Sequence, residues 1–237
     1  MRLGIDMTML GRLRSLTIPS TLLDGLVSYW PLDETSGTRV DAVGSNDLTD
    51  NNTVGYDTGV NGNAASFVAA NSEYLSSAAV LPMDSDFTVS GWINLHAFTG
   101  AHNFVSMEGA TGNTTLFSFW AFTVSNVYLA RFSNGDYVDT TGTPNETPVL
   151  NEWTFFVLWS DGAKGYLQIN DHTPREAVLG ARPTGAAPGF RIGTRAGYTD
   201  QFSTSDIDEV AIWNRVLTED ERTELYNSGA GKFYPFT

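Results

Sequence analysis

The 237-residue sequence contains no cysteine. Disulfide frameworks, zinc sites built from paired cysteines and thiol catalysis are therefore excluded. A hydrophobic core or a bound metal ion has to supply the stability instead. The absence of cysteine does not by itself fix the compartment in which the protein works.

Charged side chains are also scarce, and basic ones most of all. Asp, Glu, Lys and Arg make up 17% of the chain, and 13 Lys and Arg face 27 Asp and Glu, for a formal net charge of −14. Nucleic acids and anionic membrane surfaces repel such a chain. We therefore expect no nucleic-acid partner, whereas neutral glycans, cations such as Ca²⁺ and basic protein surfaces stay open as partners.

Long apolar runs are missing as well. No segment approaches the about 18 consecutive apolar residues that a membrane span needs. Near the N-terminus, Asp6, Thr8, Arg12 and Arg14 interrupt the apolar residues, and no small-residue cleavage site follows. We expect neither a Sec signal nor insertion into a membrane.

The first 23 residues differ from the rest in charge. They hold three arginines and one aspartate, a net charge of +2, so the remaining residues carry −16 (−14 minus 2). This arm also has large apolar side chains that nothing local covers, namely Leu3, Ile5, Met7, Leu10, Leu13, Leu16 and Ile18. One interpretation is a frayed terminus or an extra strand on the body. The other is an arm that docks these side chains into a partner protein.

The body, residues 24–237, has the pattern of one all-β domain. Short runs of alternating apolar and polar residues are bounded by Gly, Asn, Asp and Ser, which is typical of a sandwich or barrel. Asn134-Gly135 and Asp161-Gly162 predict hairpin turns. Thr218 with Glu221 three residues later predicts one short C-terminal helix, because the pair forms a capping box.

Several segments, in this order, carry a resemblance to a known family. They include residues 26–37 (LVSYWPLDETSG), 41–48 (DAVGSNDL), 86–93 (DFTVSGWI) and 207–218 (IDEVAIWNRVLT). Over residues 25–226 the sequence resembles the laminin-G-like family of concanavalin A-like jelly rolls. The resemblance implies a two-sheet antiparallel jelly-roll sandwich.

The resemblance also implies a structural calcium site. Many jelly rolls of this kind hold Ca²⁺ between an Asp on the last long strand and backbone carbonyls from elsewhere in the fold. Mapped onto this sequence, the carboxylate is Asp208, and the carbonyl donors lie near Pro31 or Asp33 and at Gly62. The alternative is that Asp208 hydrogen-bonds a turn without a metal ion.

An aromatic strand predicts a glycan site. In residues 116–122 (LFSFWAF), alternation places Trp120 on the face opposite Phe117 and Phe119. Sugars stack on exposed aromatic rings in jelly-roll glycan binders, and polar side chains bind their hydroxyls. We expect Trp120, Tyr128 and Arg131 to form such a platform, although they could equally belong to the core.

Catalysis is not expected. Glucanases of related fold place their carboxylates as E-x-D-x-x-E along one strand, so that the acid and the nucleophile share a face. Residues 206–209 (DIDE) are the nearest approach, and they lack the glutamates of that pattern.

The leading hypothesis is a non-catalytic virion structural protein. Residues 22–27 (LLDGLV), which follow an arm without a signal, resemble decoration or tail proteins of tailed bacteriophages. The arm would bind other virion proteins, and the jelly roll would lie on the virion surface with weak glycan adhesion. The alternatives are an extracellular, free-standing Ca²⁺-dependent carbohydrate-binding module or a surface adhesin. We expect a homo-oligomer, with a trimer as one candidate.

Overall fold

The computed structural model describes residues 20–97, 99–108, 115–122, 125–142, 146–184, 188–195 and 201–237. Within these residues, fifteen strands form two antiparallel sheets, and one α-helix follows the last strand. The predicted all-β sandwich with one short C-terminal helix is confirmed. No helix in this part of the chain is long and apolar enough to span a membrane.

The first sheet has eight strands. In spatial order they are β13 (Arg175–Val178), β12 (Lys164–Ile169), β11 (Trp153–Ser160), β6 (Phe87–Leu95), β15 (Ser205–Trp213), β4 (Asn63–Phe67) and β3 (Gly55–Thr58), with β1 (Leu26–Trp30) also paired to β15. The hairpin predicted at Asp161-Gly162 joins β11 to β12.

The second sheet has seven strands. In spatial order they are β10 (Asp136–Asp139), β9 (Val127–Phe132), β8 (Thr115–Phe122), β7 (Ala101–Glu108), β14 (Phe190–Ile192), β5 (Tyr74–Ser77) and β2 (Thr49–Asn51). The hairpin predicted at Asn134-Gly135 joins β9 to β10. β14 lies between β7 and β5, far from its neighbours in sequence, so chain order does not reveal its position.

The main hydrophobic core lies between the two sheets. Alternation along β6 turns Phe87, Val89 and Ile93 inward, and they pack with Phe117 and Phe119 of the opposite sheet. These are large, fully enclosed side chains, so the main driving force for folding is burial of apolar area.

A second apolar cluster covers the outer face of the eight-stranded sheet. Trp92 and Trp213 lie on that face, and helix α1 (Glu219–Tyr226) and the C-terminal tail pack over them through Leu225 and Phe236. The Trp92 ring stacks on Tyr226 with centroids 6.1 Å apart. The outer face of this sheet is therefore closed by the chain itself.

The described end of the predicted arm is joined to this second cluster. Leu22 is fully buried there, and its carbonyl accepts a hydrogen bond from Trp213 Nε1 at 2.7 Å. Arg215 donates to the carbonyls of Thr21 (3.0 Å) and Asp24 (2.6 Å). Residues 20–23 thus pack on the domain, whereas Leu3, Ile5, Met7, Leu10, Leu13, Leu16 and Ile18 lie outside the described residues.

Helix α1 begins at the predicted capping box. The Thr218 hydroxyl accepts from Glu221 N, and Glu221 Oε2 accepts from Thr218 N at 2.8 Å. The helix ends at Asn227, whose left-handed φ of 47° closes the last turn. Glu221 also pairs with Arg215 at 2.6 Å and accepts from the Thr21 hydroxyl at 2.5 Å, so the helix start holds the N-terminal segment in place.

Candidate functional site

The outer face of the seven-stranded sheet, here called the polar face, carries a continuous row of polar side chains. Strand register places these residues directly opposite one another from one edge of the sheet to the other: Tyr137, Arg131, Ser118, Ser106, Arg191, Ser76 and Thr49. Their neighbours along each strand, such as Phe117, Val105 and Phe190, belong to the core between the sheets. The row therefore points away from the core.

A buried ion cluster lies on the polar face. Glu108 Oε1 accepts hydrogen bonds from Arg131 at 2.8 Å and from Arg195 at 2.6 Å. Glu108 and Arg195 are 2% and 5% exposed, so solvent screens this cluster only weakly. Two guanidinium groups thus share one carboxylate oxygen.

Trp120 lies beside this cluster on β8. The ring is half-buried, and the Arg195 guanidinium carbon lies 5.6 Å from its centroid, within cation–π range. Across the strands Trp120 faces Asn103 and Leu129. The sequence correctly predicts the direction of this ring.

Several buried polar atoms around this face have no hydrogen-bond partner among the described residues. They are Asn103 Oδ1, Glu108 Oε2, Thr115 Oγ1 and Thr194 Oγ1. Such atoms are uncommon in folded proteins because each one loses its hydration without a replacement. An ordered water molecule is the partner that can satisfy atoms buried in this way.

Tyr128 does not belong to the polar face, so its predicted role in the platform is wrong. It is 1% exposed, its ring stacks on Phe119 at 5.8 Å, and its hydroxyl donates to Thr154 at 3.4 Å. Burial raises the pKa of Tyr128 to about 12. Tyr128 and Arg131 are three residues apart on β9, and alternation sends them to opposite faces.

The residues of the predicted metal site lie on the other side of the sandwich, at a bulge in β15. The pairing of β15 with β6 is interrupted after Asp208, and Glu209 takes a left-handed φ of 53°. Asp208 is fully buried, and its Oδ2 accepts from the backbone N–H of Val60 (2.8 Å) and Asn61 (3.3 Å). Asp208 Oδ1 has no partner in the described part of the chain.

Gly62 lies in the loop between β3 and β4, near this bulge. Asp33, which follows β1, contacts the same loop. Asp33 Oδ1 accepts from Asn63 N at 2.8 Å. Gly62 has a φ of 74°, and a Cβ placed there would lie 2.1 Å from Asp33 Oδ1, so glycine is required. The structure thus brings Asp33, Gly62 and Asp208 into one region, while Pro31 directly follows β1.

This region is electrostatically strained. Burial, together with the charges of Glu209 and Asp33, raises the pKa of Asp208 to about 8, although the N–H groups of Val60 and Asn61 lower it. Burial also raises the pKa of Glu209 to about 7, although Tyr29 and Asn61 both hydrogen-bond its carboxylate. The family resemblance pointed to Asp208 in the sequence, but the contributions of Glu209, Tyr29 and Asn61 depend on the fold.

The donor chemistry at the bulge fits a hard cation. An unpartnered buried carboxylate oxygen beside further carboxylates and loop carbonyls is the kind of oxygen set that Ca²⁺ prefers. Side chains alone do not form such a site, because no group of three or more His, Asp or Glu residues in the described ranges is arranged to hold a metal ion. Backbone carbonyls would have to complete the coordination.

Two antiparallel sheets, one covered outside and one polar outside, define a lectin-like sandwich. The model of the concanavalin A-like lectin/glucanases superfamily matches residues 61–221, more than half of the chain, and the chain belongs to this superfamily. The predicted resemblance to concanavalin A-like, laminin-G-like jelly rolls is thereby confirmed. No curated protein sequence matches the chain.

Solved structures with the same fold are distant in sequence. The sialidase of Trypanosoma rangeli aligns with a TM-score of 0.66 at 15% identity over 87% of this chain and 33% of its own. Domain 4 of AbnA, an extracellular arabinanase of Geobacillus stearothermophilus solved with arabinotriose, aligns with a TM-score of 0.63 at 17% identity. The alignment covers 84% of this chain and 97% of that domain. The binding domain of botulinum neurotoxin DC, in complex with SialylT, aligns with a TM-score of 0.66 at 11% identity. The alignment covers 86% of this chain and 52% of the other.

The chain spans about a third of the length of the sialidases that it matches. At these identities the likeness concerns the fold alone. The arrangement of side chains on the polar face therefore has to be interpreted on its own chemistry.

Proposed function

We propose that the protein is a non-catalytic carbohydrate-binding domain that takes saccharides on the polar face. The observation that carries this proposal is the contrast between the two outer faces of the sandwich. Helix α1 and the C-terminal tail cover one face with an apolar cluster. The other face carries the half-buried ring of Trp120 and the polar row.

These groups suit a sugar ring. The C–H groups of a pyranose pack on an aromatic face, and Trp120 offers a half-buried ring for that contact. Hydroxyls need donors and acceptors at fixed positions, and Arg131, whose side chain is partly exposed on β9, offers donors beside Trp120. The structures of the arabinanase domain with arabinotriose and of the neurotoxin binding domain with SialylT support this ligand class for the fold.

The proposed absence of catalysis rests on the surroundings of the carboxylates on β15. Asp206 is 3% exposed and lies 2.7 Å from His96 Nε2, and Asp208 is fully buried beneath the loop at Gly62. Hydrolysis requires an acid and a nucleophile or base that both reach the scissile bond. Neither carboxylate is presented to a substrate in that way.

A glycan array followed by titration calorimetry tests the binding role. We expect Trp120→Ala to weaken the best array ligand at least about tenfold, because the stacking contact is lost, and Trp120→Phe to retain part of the affinity. Tyr56→Ala is the matched control, since it removes an exposed aromatic ring on β3 of the other sheet. Unchanged affinity in Trp120→Ala would contradict the proposal.

We also propose that the N-terminal arm anchors the domain to other virion proteins, with the polar face displayed outward. The support is the position of the residue at which the arm joins the domain. Leu22 lies in the second apolar cluster, on the side of the sandwich opposite the polar face. A domain held by its arm therefore presents the polar face away from the anchor. Deleting residues 1–19 should abolish incorporation into particles, and normal incorporation of that variant would exclude this role.

We further propose that Ca²⁺ binds at the β15 bulge. Asp208 would supply the carboxylate, and Asp33 and the carbonyl of Gly62 are the nearby oxygen donors. When bound, the cation would offset the burial and the nearby negative charges that raise the pKa of Asp208. Its role would be structural, since the bulge lies on the sheet opposite the polar face.

A further inference from the structure

Arg191 is an exception among the basic side chains. The described residues include ten Lys and Arg, and nine of them hydrogen-bond or ion-pair with an oxygen acceptor: Arg39, Arg131, Lys164, Arg175, Arg182, Arg195, Arg215, Arg222 and Lys232. The Arg191 guanidinium has no such acceptor in the described ranges. Its recorded contact is with the ring of Tyr74, at 5.1 Å from the centroid.

The lack of an ion-paired acid beside Arg191 among the described residues is informative in this chain. Acidic residues outnumber basic ones by 27 to 13, so most basic groups find a carboxylate nearby. Arg191 is half-buried on β14, which is a central rather than an edge strand of the seven-stranded sheet. A guanidinium that has lost part of its water without gaining an anion is costly unless a ligand supplies the anion.

The neighbours of Arg191 leave its donors free. Ser106 and Ser76 lie opposite it on the two flanking strands. The Ser106 hydroxyl donates to the Thr194 carbonyl at 3.0 Å, and the Ser76 hydroxyl accepts from Asn51 at 3.0 Å. Tyr74 stacks under the guanidinium plane and limits its motion, which prepares the group for a planar partner.

The described charged residues on the polar face have a small positive sum, although the chain is strongly acidic. Arg131, Arg191 and Arg195 contribute three positive charges, and Glu108 and Asp139 contribute two negative charges. The local sum of +1 contrasts with −14 for the whole chain. Arg131 and Arg191 are three strand spacings apart, about 14 Å, so the positive potential extends across the centre of the face.

We infer that the saccharide bound on the polar face carries a carboxylate, and that Arg191 binds it. This inference rests on the proposed carbohydrate-binding function and adds the ligand's charge to it. A planar guanidinium fork matches a carboxylate through two parallel hydrogen bonds, and such charged bonds are stronger than those to neutral hydroxyls. Uronic and sialic acids both present this group, so the shared chemistry is an acidic sugar.

Paired ligands test the charge directly on the full chain. The pairs are tetragalacturonate with its neutral methyl ester, and 3′-sialyllactose with lactose, each titrated by calorimetry. In at least one pair the acid should bind about tenfold or more tightly than its neutral partner. Raising NaCl from about 0.05 M to about 0.5 M should shrink that difference, because salt screens the ion pair. The pair that responds distinguishes uronate from sialate.

Variants then assign the effect to Arg191. Arg191→Ala and Arg191→Gln should weaken the acidic ligand about ten- to a hundredfold and change the neutral partner's affinity little. Lys232→Ala is the control, because it removes one positive charge beside helix α1, on the opposite side of the sandwich. Circular dichroism and melting curves of both Arg191 variants verify that they fold.

The outcomes distinguish a failure of this inference from a failure of the proposed carbohydrate-binding function. Equal affinity for acid and neutral partner in both pairs, or unchanged acid affinity in the folded Arg191 variants, overturns the inference. If a neutral saccharide still binds and Trp120→Ala abolishes that binding, the carbohydrate-binding function stands without it. Binding of no saccharide at all overturns both.

Discussion

Asp208 and Glu209 are adjacent in sequence, yet the β15 bulge gives their carboxylates different surroundings. Glu209 is hydrogen-bonded by Tyr29 and Asn61, whereas one oxygen of Asp208 has no hydrogen-bond partner among the described residues. A buried carboxylate of this kind is either protonated or neutralised by a cation. The two possibilities predict opposite effects when the charge is removed by mutation.

At the residue scale, Asp208→Asn tests the proposed calcium site. Saturating Ca²⁺ should raise the melting temperature of the wild type by about 5–10 °C, since 100 times the Kd contributes about 2.7 kcal/mol. The variant should lose this response and, with chelator present, melt no lower than the wild type, because the buried charge is gone. Differential scanning calorimetry measures both effects.

Asp57→Asn, on the exposed edge strand β3, is the control and should keep the calcium response. A wild-type melting temperature that is the same with Ca²⁺ and with chelator would rule out the site.

At the scale of elements, local sequence signals correctly predicted the helix start and the core residues of strands. The long-range pairing of strands could not be predicted from them. The capping box at Thr218 fixed the start of α1 because both partners lie within one helical turn. The strand alternation of β6 and β8 likewise identified their core residues. The meeting of Arg195 with Glu108 depends on β14 packing beside β7, which is a long-range pairing that no local pattern encodes.

The ion pair at the start of α1 predicts a pH dependence of stability. Arg215 lowers the pKa of Glu221 to about 2, below its usual value of about 4.5. A carboxyl group whose pKa is lower in the folded state than in the unfolded state stabilises the folded state at pH values above its unfolded pKa. This stabilisation is lost as the pH falls from about 4.5 to about 2.

Glu221→Gln should therefore lower the free energy of unfolding by about 2–3 kcal/mol at pH 7 and by much less near pH 2. Urea denaturation at the two pH values measures the difference. Glu224→Gln, which removes a half-buried ion pair with Lys232 near the surface, should cost under about 1 kcal/mol at pH 7. A cost for Glu221→Gln that does not change with pH would contradict this account of the ion pair.

At the scale of the whole molecule, the sandwich has one outer face covered by an apolar cluster and one polar outer face. The composition and the ordered motifs predicted the two-sheet fold, and the orientation of Trp120 followed from alternation. The predicted platform failed at Tyr128 because side chains an odd number of residues apart on one strand face opposite ways. Arg191 could not be found in advance, since its significance lies in having no acidic partner among the residues that the structure describes.

Truncation tests where the domain begins. Deleting residues 1–19 should leave the melting temperature nearly unchanged, whereas deleting residues 1–23 should lower the free energy of unfolding by about 2–5 kcal/mol. The reason is that the longer deletion removes Leu22, which is fully buried against Trp213. Equal stability of the two truncated chains would show that the packing of Leu22 contributes little.

The central claim is that saccharides bind on the polar face, and the indole N–H resonances of the six tryptophans test it most directly. NMR spectra are recorded during titration with the saccharide bound most tightly on the array. The account predicts that the Trp120 resonance shifts with ligand, while those of Trp92 and Trp213 in the second apolar cluster stay in place. Saturable binding that shifts Trp92 or Trp213 and leaves Trp120 unchanged would contradict it.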